Sequence, residues 1–210
     1  TAVAAREDVT LTVSAQGEVQ PRTQIYIVPQ VSGKITFMSP SFIEGGRFKK
    51  GELLVRIDPA EYQLRVTQAK ANVARAQTVL TREASESDIA RQDWNDLGNG
   101  QVATPLTLRA PQMAEAAANL EGAKAMLGEA ELQLARTAIY APFSGRVTER
   151  NVDTGEYITT GARLGRVYQS SIMDVRLPLT NADLAQAGLT LGFVAGPKTP
   201  GIPVNLSANV

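Results

Sequence analysis

The stretch Ala141-Pro142-Phe143-Ser144-Gly145-Arg146-Val147 (141–147) decides the fold, because it repeats an earlier one, Pro29-Gln30-Val31-Ser32-Gly33-Lys34-Ile35 (29–35). In each copy a proline precedes Ser-Gly, a basic residue and a β-branched residue. The same landmarks then follow in the same order, namely glycine turns and a closing apolar strand at 53–57 or 164–167. This repeat predicts two β half-units, at about 24–58 and 138–168.

The glycines of the two half-units mark turns, each of which we expect to need a positive φ that glycine adopts freely. Gly33 and Gly46 are 13 positions apart, whereas Gly145 and Gly155 are 10 apart, so we expect a three-residue insertion in the first copy. Each half-unit alone is too small to bury both of its faces. We therefore predict that the two pair into one small β-sandwich.

Between the half-units lies a long, Ala-rich segment with a helical pattern. Asp58 and Pro59 are typical of a helix start, and Glu61 follows at the spacing of a capping box. Apolar residues then recur at alternating spacings of four and three, which predicts a heptad seam that only Glu83 and Ser87 interrupt. The seam positions are 62, 66, 69, 73, 76, 80, 83, 87, 90, 94 and 97. At 1.5 Å per residue, 58–97 forms a rod of roughly 60 Å.

A second seam follows a Gly-Asn-Gly turn, and it predicts an antiparallel partner helix. Its positions are 106, 109, 113, 116, 120, 123, 127, 130 and 134, of which only Arg109 is polar. Thr104-Pro105 is typical of a helix start, but Pro111 would clash one turn later, so we expect a kink or a restart near Ala110. Residues 98–103 match G-x-G-x-x-A, but a helix precedes them where a dinucleotide site requires a strand.

The two ends of the chain predict a third, β-rich module. The segments 8–13 and 171–179 alternate apolar and polar residues as strands do, a short helical turn follows at 181–185, and a last strand is expected at 203–206. These strands leave edges unpaired, so we expect the module to be incomplete, with the native chain continuing beyond Val210.

The composition excludes most catalytic and metal-binding classes of site. Lys+Arg number 21 and Asp+Glu number 21, and this balance argues against a nucleic-acid surface. The absence of Cys and His removes thiolate and imidazole nucleophiles and metal ligands, and the four Met residues are scattered. No apolar run approaches the ~18–20 residues of a membrane span. We therefore expect no enzyme activity, no cofactor and no metal site.

Several segments resemble the periplasmic adaptor subunits, or membrane fusion proteins, of tripartite efflux pumps, above all those of the resistance-nodulation-division (RND) class. The segments are 28–35, 45–59, 108–112 and, most specifically, 134–147. The resemblance implies a lipoyl-like domain at 21–58 and 137–169, a helical hairpin at 59–136 with its tip near 98–104, and a partial β-barrel at 1–20 and 170–210. A membrane-proximal fourth domain would lie beyond Val210.

The resemblance also implies partners and a location. Six adaptors would form a sealed tube in the periplasm, held at the inner membrane by an anchor upstream of Thr1. The tube would join an inner-membrane transporter to a TolC-like outer-membrane channel. No nucleic acid is expected as a partner.

Family members meet the channel through a tip pattern of Arg, then Leu four residues on, then Ser seven further. Leu97 and Thr104 keep the seven-residue spacing, with Thr in place of Ser, but Asp93 occupies the Arg position and Arg91 is the nearest arginine. Leu97 equally suits a last seam residue, and Thr104 suits a helix cap. The predicted partner-binding residues are Arg91, Leu97, Gly98, Asn99, Gly100, Val102 and Thr104.

Two other readings stay open at this point. An adaptor of an ABC-type exporter would share the same hairpin and sandwich. A biotinyl or lipoyl carrier module shares the β half-unit, but it needs a modified lysine where the two halves meet. Here Asp58-Pro59 and the helical hairpin occupy that junction.

Overall fold

The computed structural model describes residues 12–97, 102–196, 199 and 201–207. The described chain divides into two compact units, one within Thr23–Ile172 and the other within Thr1–Arg22 and Met173–Val210. The strands are β1 (Glu18–Pro21), β2 (Gln24–Ile27), β3 (Gly33–Met38), β4 (Arg47–Phe48), β5 (Leu53–Ile57), β6 (Ala138–Tyr140), β7 (Gly145–Arg150), β8 (Tyr157–Ile158), β9 (Gly165–Gln169) and β10 (Met173–Arg176). The helices are α1 (Ala60–Leu97), α2 (Ala110–Ala135) and α3 (Asn181–Gln186).

The larger unit contains two four-stranded sheets, with orders β2-β9-β7-β4 and β6-β5-β3-β8. Each sheet takes two strands from the first half-unit and two from the second, and all neighbours are antiparallel. Neither half-unit could complete a sheet without the other. The predicted pairing of the halves into one sandwich is confirmed.

Reciprocal hydrogen bonds relate the two half-units. The Gly45 N–H donates to the Val147 carbonyl at 2.9 Å, and the Gly155 N–H donates to the Ile35 carbonyl at 2.8 Å. Both glycines have the positive φ that these turns require, 76° and 95°. The glycine turn of each half-unit is therefore hydrogen-bonded to a strand of the other half-unit, β7 or β3.

These bonds correct the predicted insertion. Gly45, not Gly46, occupies the position in the first half-unit that Gly155 occupies in the second. The intervals to compare are therefore 33–45 and 145–155, which makes the insertion two residues long (12 against 10). Gly145 also differs from the expectation of a positive φ, since it is not among the glycines in that region. It is required for another reason, because a Cβ there would lie 2.0 Å from the Tyr168 carbonyl oxygen.

The core lies between the two sheets and draws on both half-units. Ile35, Leu54 and Ile57 come from the first, Val147, Leu164 and Val167 from the second, and each is at most 1% exposed. Burial of side chains of this size stabilises the sandwich by about 1.5–3 kcal/mol each.

The helical hairpin leaves the sandwich between β5 and β6. Asp58 caps α1, with its Oδ1 accepting from the Ala60 N–H at 3.0 Å. Glu61 does not complete a capping box; it forms an ion pair with Arg65 at 2.5 Å. The buried Tyr62 ties the first turn of α1 to the sandwich, since its hydroxyl donates to the Ser32 carbonyl at 2.7 Å.

The two long helices pack together as an antiparallel pair, so that Arg65 near the start of α1 lies opposite Gln133 near the end of α2. Seam positions 62–94 of α1 and 109–134 of α2 are all buried or half-buried, whereas the seam positions Leu97 and Leu106 are exposed. The second helix begins at Ala110, which confirms the expected restart and corrects the start predicted at Thr104-Pro105. Together with the sandwich, this hairpin confirms the predicted fold class. Among the described residues no helix is long and apolar enough to span a membrane.

The smaller unit holds β1 paired antiparallel with β10, and α3, which Thr180 caps in a reciprocal box with Asp183. An ion pair of 2.7 Å joins Arg22 to Asp174, and its hydrogen bond lowers the pKa of the Asp174 carboxyl. The strand predicted at 171–179 is therefore present in shorter form, and the helical turn is present as α3. The strand predicted at 203–206 is absent, because those residues have no ladder partner. Of the strand predicted at 8–13, only 12–13 are described, and they are not in a strand.

Candidate functional site

The end of the hairpin farthest from the sandwich presents apolar side chains to solvent. Leu97, the last residue of α1, is 79% exposed, Val102 is 93% exposed and Leu106 is 68% exposed. Leu97 and Leu106 therefore both lie outside the seam. For Leu97, a place as the last residue of the seam was as strongly expected as a docking role. Of the predicted docking residues, Gly98, Asn99 and Gly100 lie outside the described residues.

Thr104 opens a single turn that precedes α2. Its Oγ1 accepts a hydrogen bond from the Thr107 N–H at 3.2 Å and lies 2.7 Å from the Thr107 hydroxyl. The Leu108 N–H donates to the Thr104 carbonyl at 3.2 Å and closes the turn. Thr104 therefore caps this turn with its side chain, while its residue remains exposed at the end of the hairpin.

Arg91 points its guanidinium along its own helix. It forms an ion pair of 3.3 Å with Asp88, one turn earlier, and its side chain is 59% exposed. Asp93, at the position where the family pattern has arginine, is exposed. Both charged groups remain open to solvent near the hairpin end, and the assignment of the arginine role to Arg91 stays a prediction.

The turn ends in a Schellman motif. The Ala110 N–H donates to the Pro105 carbonyl at 2.9 Å, and the Arg109 N–H donates to the Leu106 carbonyl at 3.1 Å. Arg109 occupies the left-handed position, with φ 54° and ψ 28°. Glycine is the usual residue there, and a residue with a Cβ costs about 1–2 kcal/mol. Among the described residues Arg109 is the only non-glycine residue with positive φ.

The side chain of Arg109 reaches across to α1. Its Nη2 lies 2.6 Å from Glu83 Oε2 and 2.6 Å from Glu86 Oε2. The hydrogen bond that Arg109 donates to Glu83, followed by the charges of both carboxylates, raises the pKa of Arg109. One residue earlier, the Leu108 carbonyl accepts a hydrogen bond of 2.7 Å from the buried Ser87 hydroxyl. We call Arg109, Glu83, Glu86, Ser87 and Leu108 the Arg109 clamp.

The clamp explains the polar residues that interrupt the two predicted seams. Glu83 and Ser87 on α1 and Arg109 at the start of α2 face one another in the antiparallel pair. A sequence signal was present, because the charged residue in the first seam is negative and the charged residue in the second seam is positive. The left-handed backbone at Arg109 had no such signal, since arginine rarely adopts it.

The hairpin end offers surfaces for contact rather than groups for chemistry. Within the described residues, no cluster of three or more His, Cys, Asp and Glu side chains could hold a metal ion. The features it combines are exposed apolar side chains, exposed charges and a capped turn tied to the helix beside it.

Three comparisons identify proteins that share this architecture. Residues 23–169 match the family model described as the barrel-sandwich hybrid domain of RND membrane fusion proteins. The multidrug resistance protein MdtA of Proteus mirabilis is 31% identical over 97% of this chain and 48% of its own length. The chain therefore spans about half the length of such relatives.

Two solved structures agree with the family match. A chimera of MacA carrying the MexA α-hairpin domain of Pseudomonas aeruginosa is 28% identical over 81% of this chain and 55% of its own, with a TM-score of 0.60. MacA from Actinobacillus actinomycetemcomitans shares the fold, at 24% identity over 82% of this chain and 57% of its own and a TM-score of 0.66. With its sandwich of two exchanged half-units and its inserted hairpin, the chain belongs to the RND membrane fusion proteins, the periplasmic adaptor family that its sequence resembles.

Proposed function

We propose that this chain is part of a periplasmic adaptor that joins an inner-membrane RND transporter to a TolC-like outer-membrane channel for the export of drugs or other small molecules. The observation that carries the proposal is the long hairpin whose free end exposes Leu97 and Val102. The relatives named multidrug resistance proteins support the drug-export role. No residue of this chain performs chemistry in the proposed role.

The work is divided between the parts of the chain. The hairpin docks on the channel by its end, the lipoyl-like sandwiches of neighbouring copies pack side by side into a ring of six, and the β-rich unit contacts the transporter. The adaptor lies in the periplasm and is held at the inner membrane. The strands that flank the hairpin, β5 and β6, pair directly with each other, and this pairing joins the hairpin to the sandwich.

The size of the docking surface supports the need for several copies. Full burial of a Leu or Val side chain contributes about 1.5–3 kcal/mol. Two or three such side chains contribute about 3–9 kcal/mol in all, and the cost of association, about 4–15 kcal/mol, offsets most or all of it, so one hairpin end alone binds weakly. A ring of adaptors overcomes this weakness because linked sites bind together with a high effective concentration.

Site-specific photo-crosslinking in the native host, in the full-length protein, tests the docking role. A probe at Val102, 93% exposed, should crosslink to an outer-membrane channel protein, whereas a probe at Leu64, 70% exposed at the sandwich end of α1, should not. Equal capture of the channel by both probes would show that contact does not depend on the hairpin end. Capture by neither, with the protein abundant, would refute the adaptor role.

The inner-membrane partner and the carrier alternative are tested separately. Copurification of crosslinked complexes should recover an RND transporter, and recovery of an ABC-type exporter instead would reassign the partner. Intact-mass analysis should find no biotin or lipoate on the chain. A modified lysine would instead support the hypothesis of a biotinyl or lipoyl carrier module. Where such a carrier has its lysine, this chain has Asp58-Pro59, and the Asp58 carboxylate caps α1.

A further inference from the structure

The turn between Thr104 and Arg109 is a separate element of the hairpin end. Its own hydrogen bonds close it before α2 begins, through the Leu108 and Ala110 N–H groups. It carries Leu106, which is 68% exposed. Residues 104–106 of the turn are exposed, and only its last residue, Arg109, is a half-buried seam position, so packing in the seam holds the turn at one end only.

Two ties bind this turn to one turn of α1. Leu108 is held through its carbonyl by Ser87, and Arg109 is held through its guanidinium by Glu83 and Glu86. Of the two carboxylates that contact Arg109, Glu83 is the more enclosed, with 12% of its side chain exposed. The Arg109–Glu83 ion pair is therefore shielded from solvent on the side of the carboxylate. Two consecutive residues of the turn, 108 and 109, are thus both bound to the segment 83–87 of α1.

The choice of residue at position 109 separates backbone from side-chain requirements. The left-handed conformation favours glycine, and a Schellman motif needs nothing more than that conformation. Arginine adds strain to the backbone, and what it supplies in return is a guanidinium whose Nη2 donates a hydrogen bond to Glu83 and forms an ion pair with Glu86. The side chain, not the turn, is the reason for an arginine here.

We propose that Arg109 is a positioning residue, which fixes the 104–109 turn against α1 and so presents Leu106 as a third apolar docking residue beside Leu97 and Val102. This inference rests on the proposed docking of the hairpin end. It assigns to the clamp a role in holding the docking surface in one conformation before the partner arrives, which lowers the entropic cost of binding.

Substitutions at two positions test the inference. Arg109→Gly keeps the left-handed backbone without strain but removes both ion pairs, and Lys124→Ala is its control, since Lys124 forms its ion pair with Glu121 on the exposed face of α2. Leu106→Asn removes the proposed contact, and its control is Met126→Asn, at a residue that is 63% exposed on the shaft of the hairpin.

Hydrogen exchange on the free protein measures the clamp without any partner. We expect Arg109→Gly to speed the exchange of the Leu108 and Ala110 amides several-fold, while the amides of β5 and β9 exchange as in the wild type. Unchanged exchange at the turn would show that the side chain does not hold it, and the positioning role would be wrong whatever the docking result.

Crosslinking from a probe at Val102 then measures docking. Arg109→Gly and Leu106→Asn should each reduce capture of the channel several-fold, and the two control variants should match the wild type. Wild-type capture by Arg109→Gly or by Leu106→Asn would overturn the inference while leaving the adaptor role intact. Failure of the unsubstituted protein to capture the channel would instead refute the proposed function, and with it the docking role of Leu106.

Discussion

Replacement of Gly145 by alanine should destabilise the sandwich more than its size suggests. A Cβ at this position would lie 2.0 Å from the Tyr168 carbonyl oxygen and 3.2 Å from Phe48 Cζ. The first obstacle is backbone of the neighbouring strand β9, so it cannot rotate away, and the β7–β9 ladder must separate locally. Overpacking costs about 1–3 kcal/mol in general, and we expect the upper part of that range, about 2–3 kcal/mol.

Thermal unfolding with matched Gly→Ala substitutions measures this effect. A change of 1 kcal/mol shifts the Tm by about 2–4 °C in a protein of this size, so Gly145→Ala should lower it by about 4–12 °C. Gly122→Ala is the control: it lies within α2, a Cβ there meets nothing within 4 Å, and the higher helix propensity of alanine should raise the Tm of the hairpin by about 2–4 °C. A Tm for Gly145→Ala at or above the wild-type value would refute the steric argument.

Three further predictions concern the root of the hairpin, its seam and the acid sensitivity of the sandwich. Tyr62→Phe should cost about 0.5–1.5 kcal/mol in urea unfolding, because the Ser32 carbonyl loses its 2.7 Å hydrogen bond; an unchanged midpoint would contradict this. Leu120→Ala, at a side chain 4% exposed in the seam, should cost about 2–5 kcal/mol, with loss of helical circular dichroism before loss of the sandwich. The hydrogen bond from the Ser41 hydroxyl lowers the pKa of Glu52. The ionised Glu52 therefore stabilises the fold above its usual pKa of 4.5, and this stability is lost as the pH falls below that value. In urea unfolding at several pH values, Glu52→Gln should lose less stability on acidification than the wild type.

The sandwich was predictable because its signal is repeated in the sequence. Two copies of one pattern, each too small to fold alone, leave few arrangements in which both bury their apolar faces. What the pattern could not show is the order of strands, in which every sheet takes members from both halves. That order depends on hydrogen bonds between distant turns, such as those of Gly45 and Gly155, and such bonds leave no periodic trace.

The hairpin was predictable from its heptads, but its end was not. Periodicity placed Leu106 in the seam, whereas the structure exposes it, since the helix does not begin until Ala110. The start of α2 near Ala110 was predictable from Pro111, because the proline ring would clash with a backbone carbonyl one turn earlier in a continuous helix. The conformation of the preceding turn instead depends on Arg109, whose tertiary ion pairs override a local preference against a positive φ.

The two ends of the hairpin are held by different kinds of interaction, and this difference bears on how the adaptor works. At the root, β5 and β6 pair as neighbouring strands, about 4.8 Å apart, and the helices that continue from them must separate to the 8–10 Å of helix packing. The caps at Asp58 and at Thr137, whose Oγ1 donates to the Leu134 carbonyl at 2.7 Å, lie where that separation begins. At the far end only the Arg109 clamp crosses between the described parts of the helices with charged groups. Salt screens the Arg109–Glu86 pair, in which 42% of the Glu86 side chain is exposed, more than the enclosed Arg109–Glu83 pair, and it does not act on the neutral hydrogen bonds of a buried strand ladder. High ionic strength should therefore loosen the docking end while the sandwich that carries it stays folded.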